Sequence, residues 1–408
     1  MMSRSPKGES SAEAVLKLGD LLEQFDERLG ALPEPEILTL TEKLGFVLQR
    51  ERFKKRLAIS DTSNYKLIGL GDIAFNPYLL WANAIAQNTG WEKAIISPLY
   101  PTFRVRKGYS ARFVNYLLCS GYLRSHYGGI SYGSVPRKRR ATVSDFLNLP
   151  IPRQPSLAEQ ERIVEILDEA DAIRKLRAES DRHTAALIPA LFHAMFGDPS
   201  TNSKNWPLRP AGELMEACDY GTSQKANEEG RGISVLRMGN VTANGRLDLE
   251  DLKTVALADN ELTKQRLQAG DVLFNRTNSR ELVGKTAMWD GRFEAVAASY
   301  FIRVRFRADV EHPQHFTTFM NLPFMKRRLA EIARGAVGQA NINSKELKSI
   351  PVPVPPLPLQ NEFAHRVIEI RDVETDQATS RSRLDALFQS MLHRAFNGEL
   401  RQLNHSLP

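Results

Sequence analysis

The apolar positions of this chain alternate between two kinds of stretch, long runs with a three-four spacing and shorter runs of mixed period. The first run holds Val15, Leu18, Leu22, Phe25, Leu29 and Leu32, and Pro33 and Pro35 end it. That spacing predicts an N-terminal amphipathic helix of about twenty residues within residues 1–35. Such a helix either caps the first globular region or lies against a helix pair. Two further runs extend from Gln160 to Phe196 and from Gln360 to Phe396, with 36 positions between the ends of each (196 − 160 and 396 − 360). The first places Ile163, Ile166, Ala170, Ile173, Leu187, Leu191 and Ala194 on one seam around a polar middle of Arg177, Ser180 and Thr184. The second places Phe363, Ile370, Val373, Leu384, Leu387 and Met391 around Gln377 and Ser380. Two such stripes predict a coiled-coil pair. Pro189 predicts a kink or break near the end of the first helix.

The two long runs are copies. Ala186, Leu187, His193 and Phe196 recur 200 positions later as Ala386, Leu387, His393 and Phe396. Gly197 and Gly398 follow their ends and fit helix terminators, since glycine enters the left-handed region without steric cost. Each copy is introduced by prolines, Pro150-Ile151-Pro152 and Pro351-Val352-Pro353, which favour an extended approach. The distance between copies far exceeds the connection inside a helical hairpin, so one merged core is disfavoured.

Between the helices lie mixed α/β regions. In the first, strands are expected at Tyr65–Gly69, Ala94–Ser97 and Thr102–Arg106, and a helix at Phe113–Leu123. In the second, strands are expected at Ile233–Leu236, Asp271–Phe274 and Phe301–Arg305, and a helix at Phe316–Ile332. These regions are also related. Gly71-Asp72-Ile73-Ala74-Phe75-Asn76 returns as Gly270-Asp271-Val272-Leu273-Phe274-Asn275, and Phe103–Arg106 as Ile302–Arg305, each displaced by 199. The repeating unit is thus a half-molecule, and the fold class is mixed α/β. Two globular domains, 36–149 and 198–349, alternate with two long antiparallel helices, 150–197 and 350–400, in a pseudo-two-fold arrangement.

At 408 residues, with 42% hydrophobic and 25% charged residues, the chain has the composition of a multi-domain globular protein. It has no apolar run of membrane-spanning length and no signal-peptide core at its start, so a cytoplasmic protein without a membrane role is expected. Its two cysteines, Cys119 and Cys218, are too few and too far apart for a disulfide framework. Net charge is +7 and the pI about 9.3, which favours a polyanionic partner. Basic clusters stand at Arg50–Arg56, at Arg137, Lys138, Arg139 and Arg140, and at Lys326, Arg327 and Arg328.

Enzyme motifs are imitated and not completed. Gly284-Lys285-Thr286 ends like a phosphate-binding loop, but Ser279 stands where the pattern needs glycine. Asn321-Leu322-Pro323-Phe324 and Asn76-Pro77-Tyr78 each lack a proline of the amino-methyltransferase tetrad. His312 and His315 are expected at the surface, no metal site is expected, and no catalytic residues are assigned. What remains is a surface for binding. Asn275, Arg276, Thr277, Asn278, Ser279 and Arg280 follow a strand and supply the amides, guanidinium forks and hydroxyls that read base edges. Lys285, Gln339, Asn341 and Asn343 extend that set. In the first region the candidates are Arg104, Arg106 and the cluster Arg137, Lys138, Arg139 and Arg140. Lysines and arginines in clusters suit phosphates, which fix position without choosing sequence.

Two globular regions marked by Gly-Asp-Val-Leu-Phe-Asn-type strands are each followed by a proline lead-in with Pro-Leu-x-x-Gln and a long helix. Together with the closing Ala395-Phe396-Asn397-Gly398-Glu399-Leu400, this pattern resembles the specificity subunit of type I restriction–modification systems, the HsdS family. The resemblance covers nearly the whole chain from about residue 36. It implies that each globular region is a target recognition domain reading one half of a split double-stranded DNA site. It implies further that the helices set the gap and dock methyltransferase subunits, two of them, with a motor-nuclease subunit joining. At about 1.5 Å per residue, about 37 helical residues span about 55 Å, more than one turn of B-DNA at about 34–36 Å. S-adenosylmethionine, ATP and magnesium would sit on the partners and no cofactor on this chain. The first region departs from the pattern at Pro77, where the second has Arg276. Two alternatives are a self-contained DNA methyltransferase or nuclease and a coiled-coil adaptor.

Overall fold

The computed structural model describes residues 16–53, 61–133, 139–153, 155–228, 230–335, 339–397 and 399. The chain forms two compact units, Met1–Ala178 with Thr379–Pro408, and Glu179–Ala378. The division falls inside both long helices. Each unit therefore holds one globular region, the beginning of one helix and the end of the other, and the pair runs antiparallel.

In the first unit, β1 (Leu22–Phe25), β5 (Ile73–Phe75), β6 (Ile85–Gln87) and β8 (Thr102–Val105) form an antiparallel sheet in the order β1-β8-β5-β6. A second sheet has the order β3-β2-β7-β4, from β2 (Glu36–Thr41), β3 (Gly45–Leu48), β4 (Lys66–Ile68) and β7 (Ala94–Ile96). The core behind the first sheet gathers Phe75, Phe103 and Phe146, with the rings of Phe75 and Phe146 4.6 Å apart. In the second unit the order β12-β19-β15-β17 repeats the first sheet. It is built from β12 (Met215–Tyr220), β15 (Val272–Asn275), β17 (Thr286–Met288) and β19 (Phe301–Phe306).

The N-terminal helix is not formed as expected. Only Leu18–Leu21 makes a helical turn, and the chain then enters β1, where Leu22 faces Val105. Leu18, Leu21 and Leu22 are all buried against the sheet, so a turn followed by a strand satisfies the same apolar positions. An available strand edge outweighed local periodicity. The first domain therefore begins before residue 36. A second repeat was legible here: Lys17-Leu18-Gly19-Asp20-Leu21-Leu22-Glu23 matches Pro210-Ala211-Gly212-Glu213-Leu214-Met215-Glu216. Both glycines sit where a Cβ would crowd a short helix, Gly19 against Leu147 and Gly212 against Lys348.

Strand register also revises the displacement of the last sheet strand. Ile73 faces Phe103 and Val272 faces Val304, so the strands correspond at 201 (304 − 103) and not at 199. Arg104 is thereby the counterpart of Arg305, and each pairs with the aspartate before the central strand. Arg305 does so bidentately with Asp271, at 2.8 Å twice, whereas Arg104 reaches Asp72 at 3.4 Å.

The first long helix breaks, as its proline predicts, into Leu157–Ala185 and Leu187–Phe196, while the second runs unbroken over Leu357–Asn397. Pro189 lacks an amide hydrogen and its ring crowds the carbonyl of Ala185, where the first segment ends. Gly197 ends the second segment with φ of 81°; Gly398 lies outside the described residues. The expected seam is only partly right. Ile173, Leu187, Val373 and Leu387 are exposed, and the buried positions are Ile163 and Leu167 with Phe388, Leu392 and Phe396 in the first unit. In the second they are Ile188, Phe192 and Phe196 with Phe363 and Val367. Each helix end packs mainly into its own globular region. Helix-to-helix contacts near the middle are polar, with Arg174 on Asp385 at 2.8 Å and Gln377 donating to Thr184 at 2.9 Å.

The glutamine of each lead-in has a defined task. Gln160 is buried, accepts from the Ser110 amide and donates to the Pro155 carbonyl. Gln360 is buried, accepts from the His312 amide and donates to the carbonyls of Val310 and Pro355. Each side chain ties the proline segment to the N-cap of a domain helix, Ala111–Cys119 or Pro313–Asn321. His315 is not at the surface: it is fully buried, its Nδ1 lies 2.7 Å from Glu311, and Phe192 stacks on its ring. Cys119 and Cys218 are free thiols.

Candidate nucleic-acid interface

In the second unit β15 ends on Asn275, and this residue closes the polar loop that follows it. The Asn275 amide donates to the Lys285 carbonyl and its own carbonyl accepts from Gly284, both at 2.8 Å. Its side chain donates to Thr277 and Tyr300 carbonyls and accepts from the Asn278 amide group at 2.8 Å. Asn275 is fully buried, so it shapes the loop and offers nothing to a base. Lys285 is also turned inward, where Nζ donates to the carbonyls of Met238 and Val241 and burial pushes its pKa down. Lys326 points to the Gly284 carbonyl at 2.6 Å, and burial, with Lys285 nearby, brings it down to about 7. A lysine is expected to prefer solvent; here local carbonyls held both, which spacing in the sequence does not reveal.

Arg280 is exposed and Arg276, Asn278, Ser279 and Asn341 are half-buried, while Thr277 and Ala340 are buried in the short pairing of Thr277–Asn278 with Ala340–Asn341. Arg276 is held firmly. Its guanidinium lies 4.7 Å from the Tyr220 ring centre, and it donates to Asn341 Oδ1 at 3.1 Å. Its Nε is buried with no partner among the described residues. Asn341 in turn donates to Thr277 Oγ1 at 2.9 Å, and Tyr220 is anchored by Ser344, whose amide donates to its hydroxyl. The side-chain hydrogen bond between the Tyr220 and Ser344 hydroxyls draws the Tyr220 pKa down, and the amide bond adds to it. Asn343 caps the helix Ser344–Lys348 and is spent there. Gln339 and Arg280 are exposed, and Arg334 meets Glu346 at 2.6 Å at the same edge. An arginine fixed on an aromatic face beside an asparagine presents planar donors in a set orientation, the chemistry of base-edge recognition.

In the first unit the candidates divide. Arg104 is taken up by Glu27 at 2.7 Å, Asp72 and the Phe25 ring, and Arg106 donates to the Gly19 carbonyl. Both belong to the framework around β1 and β8. Arg139 and Arg140 lie elsewhere, over Trp81 and Tyr78, each at 5.7 Å from the ring centre. Arg137 and Lys138 lie outside the described residues, as do Lys54, Lys55 and Arg56. Among the described residues, no group of three or more His, Cys, Asp or Glu is placed to hold a metal, and no helix is long and apolar enough to cross a membrane.

Residues 203–376, which include this loop, match the family model described as type I restriction modification DNA specificity domain. That match and those to curated specificity subunits support an HsdS family protein, the family of type I specificity subunits. The specificity subunit of the type I restriction enzyme EcoKI of Escherichia coli K12 is 28% identical over 331 residues, 75% of this chain and 68% of that protein. The StySPI specificity subunit of Salmonella potsdam is 26% identical over 316 residues, 73% of this chain and 67% of its own. A solved chain from a study of complex assembly and conformational transition of the type I R-M system has a similar fold. Its TM-score is 0.58 at 18% identity, covering 97% of this chain and all of that one. These matches support a DNA-recognition subunit over a self-contained methyltransferase or nuclease and over a coiled-coil adaptor.

Proposed function

We propose that each globular region of this specificity subunit reads one half of a bipartite double-stranded DNA target. In this reading the long helices set the spacing between the halves and dock two methyltransferase subunits. A motor-nuclease subunit completes the restriction complex, and the chain acts in the cytoplasm, where its DNA is. S-adenosylmethionine, ATP and magnesium belong to those partners, and this chain contributes position and sequence choice alone. The observation that carries the reading is the fixed Arg276, half-buried and held between Tyr220 and Asn341. The net charge of +7 supplies the sequence-independent attraction to phosphate.

The test is a methylome of cells carrying the full chain with its methyltransferase partner. A split adenine-methylated motif with a gap of fixed length is expected, and purified complex should bind that duplex with steep salt dependence. Binding that ignores the gap length, or methyl transfer by the chain alone, would overturn the assignment.

A further inference from the structure

The first unit closes the corresponding loop in the same way as the second, which locates a site its own sequence conceals. After β5, the Asn76 amide donates to the Ala84 carbonyl, as Asn275 donates to Lys285. Asn76 Oδ1 accepts from the Tyr78 amide, and Trp81 Nε1 donates to the Tyr78 carbonyl, so the loop is built. The strand that returns across it is Arg140–Ala141, whose Ala141 amide donates to the Pro77 carbonyl at 2.9 Å. In the second unit Ile342 donates to the Arg276 carbonyl at the same distance. The helix caps that follow agree: Thr142 accepts from the Asp145 amide and Asn343 from the Glu346 amide. Pro77 therefore stands at the position of Arg276, and Arg140 at that of Asn341.

We propose that Arg140, braced on Tyr78, is the base-reading residue of the first domain, with Arg139, braced on Trp81, beside it. Arg140 is exposed, and neither guanidinium has a hydrogen-bond or ion-pair partner among the described residues. A guanidinium packed by its face on an aromatic ring keeps its in-plane N–H groups free, and two parallel acceptors, O6 and N7 of guanine, match that fork. The arginine has moved from one arm of the loop to the opposite arm. The inference rests on the proposed function and deepens it, since it names a guanine in the half-site read by the first domain.

Methylation sequencing of cells carrying the full chain and its methyltransferase partner tests this with R140A, R140Q and R276A. R140A and R140Q should each relax one position, a guanine in the wild-type motif, with discrimination falling roughly tenfold or more there. R276A should relax a position in the other half. R140Q keeps the length and planarity of the side chain and so guards against a mere packing defect. An unchanged motif, relaxation in the same half as R276A, or a uniform fall across all sequences (the mark of a phosphate contact) overturns the proposal. A wild-type chain that directs no split motif overturns the proposed function itself, a result separable from any of these.

Discussion

The two loops that follow the central strands carry their arginine on opposite arms and share much of their backbone frame. In the second unit the arginine, Arg276, stands on the outgoing arm and Asn341 faces it from the returning one. In the first, Pro77 takes the outgoing position and Arg140 the returning one, over Tyr78. The frame is made of backbone hydrogen bonds, an asparagine at the end of the central strand and capped helices, none of which depends on the side chains that point outward. A fold of this kind can exchange its readers and keep its geometry.

The largest expected effects test whether the two frames are equivalent. Gln360→Ala leaves the His312 amide and two carbonyls, those of Val310 and Pro355, without their buried partner. At about 1–3 kcal/mol for each lost group, partly relaxed, it should cost about 3–5 kcal/mol. Gln160→Ala strips one amide and one carbonyl and should cost less, about 2–4 kcal/mol. Amide hydrogen exchange read separately in each unit checks both. Protection that survives in full would show that these clamps are dispensable.

Next in size is the arginine–aspartate pair. Asp271 is buried and held by two bonds from Arg305, so Arg305→Ala should cost about 2–4 kcal/mol. Arg104 meets Asp72 by one long contact and is itself half exposed, so Arg104→Ala should cost about 1 kcal/mol. Burial raises the Asp72 pKa, with Arg104 opposing it. Equal losses in urea unfolding would mean that the second unit gains nothing from its better geometry.

A smaller effect is confined to the second unit and depends on pH. Lys326 has an ordinary pKa of 10.5 and about 7 in the folded chain. Between these values the unfolded chain binds more protons, so stability rises with pH; the cost is complete below 7 and absent above 10.5. Lys326→Met should therefore stabilise by about 1–3 kcal/mol at pH 6 and by less at pH 9.5. Thermal unfolding at the two pH values checks this, and a pH-independent change would contradict it. The smallest effect belongs to Arg280, which is exposed at the tip of the reading loop. Arg280→Ala should lower the slope of log affinity against log salt by about 1 and leave the motif unchanged. A changed motif would promote Arg280 from phosphate contact to reader.

Much of this was legible along the chain. The duplicated helices, the break near Pro189, the strand at Val272–Asn275 and the polar loop after it are consequences of local pattern. The N-terminal segment was misread because three-four spacing over so few residues suits a helix and a turn-plus-strand alike. His315 and Lys285 were misplaced for a related reason: burial of a polar side chain depends on groups distant in sequence, Phe192 stacked on His315 and the Met238 and Val241 carbonyls around Lys285.

Composition, repetition and periodicity by themselves determined that one reader-and-helix module was written twice, because these are properties of residues close together in sequence. Tertiary structure alone decided which polar residues face outward and which close the frame. Only a long-range backbone bond could bring Arg140 beside Pro77, since the Ala141 amide and the Pro77 carbonyl that it reaches are more than sixty positions apart. A register is fixed by long-range hydrogen bonds and by which face of the sheet is buried, and neither is encoded in any short stretch.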